Sequence, residues 1–170
     1  MRSAEAWIEA LDLKPHPEGG HYREVYRASE RLDGASWPAR FGAARALSTS
    51  IYFLLRAGEV SALHRIRQDE LWHFHDGDPL VVHRIDSDGR HVEAWLGLDP
   101  AAGMRPQCMV PAGDWFGAEV ADGGRFTLVG CTVAPGFEFE DLEMGVREEL
   151  LARHPRHAAL IERLTPTASA

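Results

Sequence analysis

The spacing of apolar residues changes along the chain. Ala4, Trp7, Ile8 and Leu11 recur at helical intervals behind Ser3, a residue type that caps helix N-termini, and this predicts a short helix with one apolar face. Pro15 and Pro17 then forbid helix, while Gly19 and Gly20 permit a tight turn. From Tyr22 to Arg27 the period falls to two. Alternation sets Tyr22, Glu24 and Tyr26 on one face of a strand and Arg23, Val25 and Arg27 on the other. Residues 30–46 are small and polar, with Gly34, Pro38 and Gly42, and predict a long surface loop.

Beyond that loop, short β-type runs follow at residues 50–55, 62–67, 70–75, 80–85, 92–98, 107–110, 115–119 and 126–133. Gly58, Gly77, Gly89, Gly103, Gly113 and the Gly123-Gly124 pair punctuate them. From Val146 the helical period returns in VREELLARH and, past Pro155, in HAALIERL. Many short strands with helices only at the two ends predict an all-β sandwich or barrel. A jelly roll is one of the few arrangements that hides the strand edges of such a chain.

Composition narrows the picture. No Ser/Gly-rich or charge-rich linker divides the 170 residues, so one domain is expected over 1–170, with a barrel core at about 20–140 and C-terminal helices at about 146–164. Eighteen basic residues against 26 acidic ones give a formal charge of -8, which argues against nucleic acid as the main partner. The N-terminal stretch is acidic and lacks an apolar signal core, and no window approaches a membrane span, so a cytoplasmic protein without a membrane partner is expected. Cys108 and Cys131 sit among apolar residues and read as reduced core thiols.

Candidate chemistry concentrates between Gly58 and Gly77, in GEVSALHRIRQDELWHFHDG. This stretch carries His64, Glu70, Trp72, His73 and His75. Strand parity places Glu70, Trp72 and Phe74 on one face and His73 and His75 on the other. The rigid HPEGG loop, His16 to Gly20, is expected to fold over the barrel mouth and bring Glu18 or Tyr22 into the pocket of its own or a partner subunit. It has no Gly-x-x-x-x-Gly-Lys pattern and no following helix, which discounts a phosphate loop. Gln107 is a candidate hydrogen-bonding group at the same mouth, and Tyr22, Tyr26 or Tyr52 is a candidate proton donor.

A resemblance extends these readings. Gly58, His64, Ile66, Glu70 and Gly77 are spaced as in the first cupin motif, with Ile66 where that motif has its second histidine. Pro111-Ala112-Gly113-Asp114-Trp115-Phe116 resembles the second motif, with Phe116 in place of its histidine. More specifically, LDLKPHPEGGHYREVYR, STSIYFLLRAGEVSALHRIRQDELWHFHDGDPL, VPAGDWF and LVGCTVAPGFEFEDLEM are similar to the cupin family known as DUF985 or cupin_5. The resemblance implies a double-stranded β-helix, or jelly roll, commonly assembled as a homodimer. It also implies a metal site of three histidines and a glutamate. Ile66 and Phe116 cannot coordinate, so no cofactor is expected, and His64 and Glu70 remain as ligands should a divalent metal bind.

Without a metal, the two residues still suggest chemistry. An imidazole oriented by a carboxylate is a general base, so His64 as base and Glu70 as its orienting partner form the expected catalytic pair. This resembles the metal-free cupin epimerases of 4-keto sugar nucleotides. The expected function is a small-molecule pocket inside the barrel, of carbohydrate or nucleotide-sugar type, lined by Glu18, Tyr22, Tyr52, His64, Glu70, Trp72, Gln107 and Phe116. The alternatives are a sugar epimerase or isomerase and, more remotely, a metal-dependent isomerase or dioxygenase.

Overall fold

The computed structural model describes residues 2–165. In chain order they form α1 (Ala4–Ala10), β1 (Lys14–Pro15), β2 (His21–Arg27), β3 (Arg31–Leu32), β4 (Arg45–Ala46), β5 (Thr49–Arg56), β6 (Val60–Arg65), β7 (Asp69–Gly77), β8 (Leu80–Ile85), β9 (His91–Leu96), β10 (Gln107–Val110), β11 (Trp115–Val120), β12 (Phe126–Ala134), β13 (Glu143–Met144), α2 (Arg147–Arg153) and α3 (Ala158–Leu164). The strands pair antiparallel in two sheets, ordered β1-β2-β5-β12-β7-β10 and β13-β6-β11-β8-β9, beside a small β3-β4 ribbon. This is the jelly-roll arrangement that the cupin resemblance implies.

The main core lies between the sheets. Phe53, Trp72, Val129 and Cys131 of the first sheet meet Leu80, Val82, Phe116 and Ala118 of the second. Each large apolar side chain so buried contributes about 1.5–3 kcal/mol relative to exposure. Helices cover part of each outer face. Ser3 caps α1 by accepting a hydrogen bond from the Ala6 N–H, and α1 packs with Trp7, Ile8 and Leu11 against Leu54, Phe126 and Leu128. On the other side Leu150, Leu160, Ile161 and Leu164 of α2 and α3 cover Leu63, Ile85 and Trp115. No helix among the described residues is long and apolar enough to cross a membrane.

Two expectations are corrected. Alternation in β2 breaks at a register shift between Glu24 and Tyr26. Val25 is the extra residue, so Tyr22, Glu24 and Arg27 share the inner face while Val25 and Tyr26 are exposed. Residues 30–46 are also more than a surface loop. They contain the β3-β4 ribbon, and Phe41, Arg45 and Ala46 are buried.

Candidate functional site

The HPEGG turn is the device that builds the site. Gly19 and Gly20 have φ of +107° and +65°, in the region that disfavours side chains, and a Cβ on Gly19 would lie 2.2 Å from the Val60 carbonyl oxygen. That closeness lets the Glu18 carbonyl accept the Ala62 N–H at 2.7 Å, anchoring the turn on β6. Glu18 is thereby driven between the sheets of its own chain. Gly19→Ala is expected to destabilise the fold by at least about 2 kcal/mol in urea denaturation, the strain and the steric overlap acting together. A loss under about 0.5 kcal/mol would mean that the turn shifts freely and does not fix Glu18.

Around Glu18 the polar contacts are specific. Ser61 Oγ donates to Glu18 Oε1 at 2.9 Å, and His64 Nε2 lies 3.1 Å from Glu18 Oε2. His64 Nδ1 faces the Ala62 carbonyl oxygen at 2.7 Å. A carbonyl only accepts, so Nδ1 carries a hydrogen, and the Nε2···Oε2 contact then requires a second proton shared by His64 and Glu18. His16 Nδ1, which accepts the Glu18 backbone N–H at 3.3 Å, stands 3.6 Å from the same carboxylate oxygen. Burial lowers the His16 pKa; Glu18 opposes this and His64 adds to it.

Glu70 enters the same cavity from β7, beside Cys131 and Val133 of β12. Burial, reinforced by the negative charge of Glu18, pushes its pKa up from 4.5 to about 8. The Cys131 thiol and the nearby Trp72 indole act against that rise, although Trp72 Nε1 reaches no hydrogen-bond partner among the described residues. Glu70 is therefore mostly a neutral carboxylic acid at pH 7. Both cysteines are free, and burial raises their pKa values, Cys108 to about 12 and Cys131 well above the ordinary thiol range, so neither is an activated thiolate.

The cavity encloses about 310 Å³. Its polar wall is Glu18, His16, His64, Glu70, Tyr22 and Thr49, and its rim includes Phe137 and Phe139 from the segment after β12. At the mouth Arg27 is held by both oxygens of Glu24 at 3.0 and 2.8 Å and by Glu138 at 2.9 Å.

The expected site residues fall in three groups. Glu18, Tyr22, His64 and Glu70 converge on the cavity. Trp72 and Phe116 are buried behind its wall, the Phe116 ring 4.1 Å from that of His64. Tyr52 and Gln107 lie elsewhere. Tyr52 packs on the outer face with the α1 cluster and the edge of His75, because it pairs across from Gly130 and so shares that residue's face. Gln107 is exposed on β10, whose inward residues are Cys108 and Val110. The partner of His64 is also revised, since its contact is with Glu18, not Glu70. His16, Arg27, Thr49 and the Phe137–Phe139 rim lie outside the expected set. The Phe-Glu-Phe-Glu alternation at 137–140 is the sequence signal that could have found the rim.

The inherited cupin metal position does not fit these donors. Ile66 lines the cavity where a ligand would stand, Phe116 is buried in the core, and His64 Nε2 is engaged by Glu18. Among the described residues, the His/Cys/Asp/Glu donor atoms of this cavity do not gather in threes within 4.8 Å of one another.

The family model described as cupin superfamily (DUF985), Cupin_5, matches residues 5–145. The chain belongs to the Cupin_5 family. A crystal structure of a protein from Shewanella oneidensis is 44% identical, with a TM-score of 0.88 over 98% of this chain and 99% of that one. A hypothetical protein from Leishmania major is 36% identical, with a TM-score of 0.86 over 98% and 100% of the two chains. Oxalate decarboxylase from Bacillus subtilis, in its structure at pH 4.6, is 15% identical, with a TM-score of 0.55 over 91% of this chain and 37% of that one, a likeness of fold alone. No curated protein matches the chain.

Proposed function

We propose that this Cupin_5 cavity binds a small uncharged polyhydroxylated molecule of carbohydrate type, without a metal at the inherited position. The observation that carries the reading is the wall itself. Glu18, His64, Glu70, Tyr22 and Thr49 present hydrogen-bonding groups into a space the size of a small ligand, under an aromatic rim. Charge selects within the carbohydrate class. Glu24 and Glu138 already engage Arg27, so among the described residues no free cation faces the space to offset the carboxylates, and phosphorylated ligands are disfavoured.

Proton transfer next to a carbonyl is the second reading, favoured by the different environments of Glu70 and Glu18 on one cavity. Two carboxyls on one cavity, one held neutral and one paired with an imidazole, supply an acid and a base at the same pH. The Glu18 carboxylate, held by Ser61 and by the protonated His64, takes a proton from carbon, and Glu70 donates its own proton to the carbonyl oxygen, as an epimerase or isomerase requires.

A thermal-shift screen of neutral monosaccharides, their phosphates and nucleotide sugars tests the first reading. Neutral sugars should raise Tm in the wild type and fail in Glu18→Gln. A response confined to phosphorylated compounds, or none at all, would overturn it. For the second, solvent deuterium uptake into a bound keto sugar should fall at least 100-fold in His64→Gln while affinity changes little. Equal uptake in both proteins would remove His64 from the chemistry.

A further inference from the structure

Away from the cavity, register brings four titratable residues together on the outer face of the second sheet. His83 of β8 stands opposite Glu93 of β9, and Ile85 opposite His91, so His83, His91 and Glu93 share one face as cross-strand and diagonal neighbours. Their strand neighbours Val82 and Ala94 pack inward, which makes that face the outer one. On the other flank β11 contributes Glu119, diagonal to His83 across the Gly117 pair.

The donor atoms are arranged as a coordination triangle. His83 Nδ1 lies 3.1 Å from His91 Nε2 and 3.6 Å from Glu93 Oε1, and His91 Nε2 lies 3.9 Å from the same oxygen. Ligand atoms tetrahedrally disposed at zinc distances stand about 3.4 Å apart, in the middle of those separations. Surrounding groups orient two of the three donors, His83 and Glu93. His83 Nε2 faces Glu119 Oε1 at 3.1 Å, so its hydrogen is on that side and the Nδ1 lone pair faces the triangle. Glu119 is in turn held by Arg163 Nε of α3 at 3.0 and 3.1 Å, and Glu93 Oε2 accepts from the Trp95 indole at 3.3 Å. A carboxylate, histidine and metal relay with a hydrogen-bonded carboxylate ligand has this pattern. Glu93 is exposed and His91 partly so, which leaves solvent able to supply a fourth ligand.

We infer that His83, His91 and Glu93 form a binding site for one divalent transition metal ion, zinc by geometry, on the outer face of the β8-β9 sheet. Two imidazoles and one carboxylate with an open position suit zinc, cobalt or nickel over magnesium or calcium. The site ties β8 to β9 and, through Glu119 and Arg163, to α3. It is independent of the cavity and of any reaction there.

The test uses the full chain purified without a metal-affinity column, stripped with chelator, desalted and titrated with zinc chloride and with cobalt chloride. One zinc per chain at micromolar affinity or better is expected, with the intense visible absorption of four-coordinate cobalt. His91→Asn and Glu93→Gln, both at partly open positions, should fold normally and weaken binding at least 10-fold, whereas His64→Gln should bind as the wild type does. Zinc should raise Tm in the wild type and not in His91→Asn. No uptake below millimolar zinc would leave His83 and His91 as a plain hydrogen-bonded pair and overturn the inference. Uptake indifferent to His91→Asn and Glu93→Gln, or abolished by His64→Gln, would overturn it equally.

Discussion

Glu70→Gln is expected to make the protein more stable at pH 8 and above while abolishing proton transfer in the cavity. A carboxyl whose pKa rises from 4.5 to about 8 on folding keeps, in the native state, a proton that the unfolded chain has already lost. In that window the native state binds more protons, so stability falls as pH rises from about 4.5 to about 8 and levels off beyond. At 1.36 kcal/mol per pH unit the full loss is up to about 5 kcal/mol. Glutamine has the shape of the neutral acid and never ionises. The variant should therefore match the wild type near pH 4 and exceed it progressively above, by roughly 10 °C in Tm at pH 8 for a chain of this size. Denaturation across pH 4–9 checks this, and parallel curves for the two proteins would show that Glu70 is ionised on folding. Glu18→Gln supplies a control, because Glu18 is the second cause of the shift after burial. Removing its charge should move the inflection to lower pH without erasing it. A stabilising loss of a buried acid is the trade expected where a strained group serves function.

Strand positions were legible in the sequence because period-two runs alternate with glycine turns, and both signals are local. What escaped depends on contacts between distant parts of the chain. The Val25 bulge leaves no mark in the alternation of β2, yet it moves Arg27 to the cavity face and Tyr26 to solvent. Strand β5 is apolar on both faces, because α1 covers its outer side, so parity could not say that Ile51 and Phe53 look inward and Tyr52 outward. Glu18 and His64 are far apart in sequence, and only the Gly19 approach to Val60 brings them to 3.1 Å. The cluster of His83, His91 and Glu93 depends on the β8-β9 register in the same way.

The expected surface loop at residues 30–46 hides the largest structural effect. Asp141→Ala should destabilise the protein by about 3–5 kcal/mol, because it removes the buried carboxylate that pairs with a buried guanidinium and leaves it only the exposed Glu140 carboxylate. Arg45 and Asp141 are 1% and 3% exposed, and Arg45 Nε and Nη2 donate to the two Asp141 oxygens at 3.0 and 2.7 Å. Gln68 Nε2 donates to Asp141 Oδ2 at 2.7 Å, so the mutation takes an acceptor from three donor atoms, Arg45 Nε and Nη2 and Gln68 Nε2. A guanidinium stays charged in proteins whatever its partners, which rules out escape by deprotonation once Asp141 is gone. The effect reaches the cavity because Asp141 closes the 3-10 turn Phe139–Asp141, whose first residue forms part of the rim. Tm should fall by roughly 10 °C, and any ligand affinity should fall with it. Asp141→Asn keeps the shape and one acceptor, and should lose less. If both variants stay within about 1 kcal/mol of the wild type in urea denaturation, the existing Glu140 contact suffices for Arg45, and the turn does not depend on Asp141 for its place over the cavity.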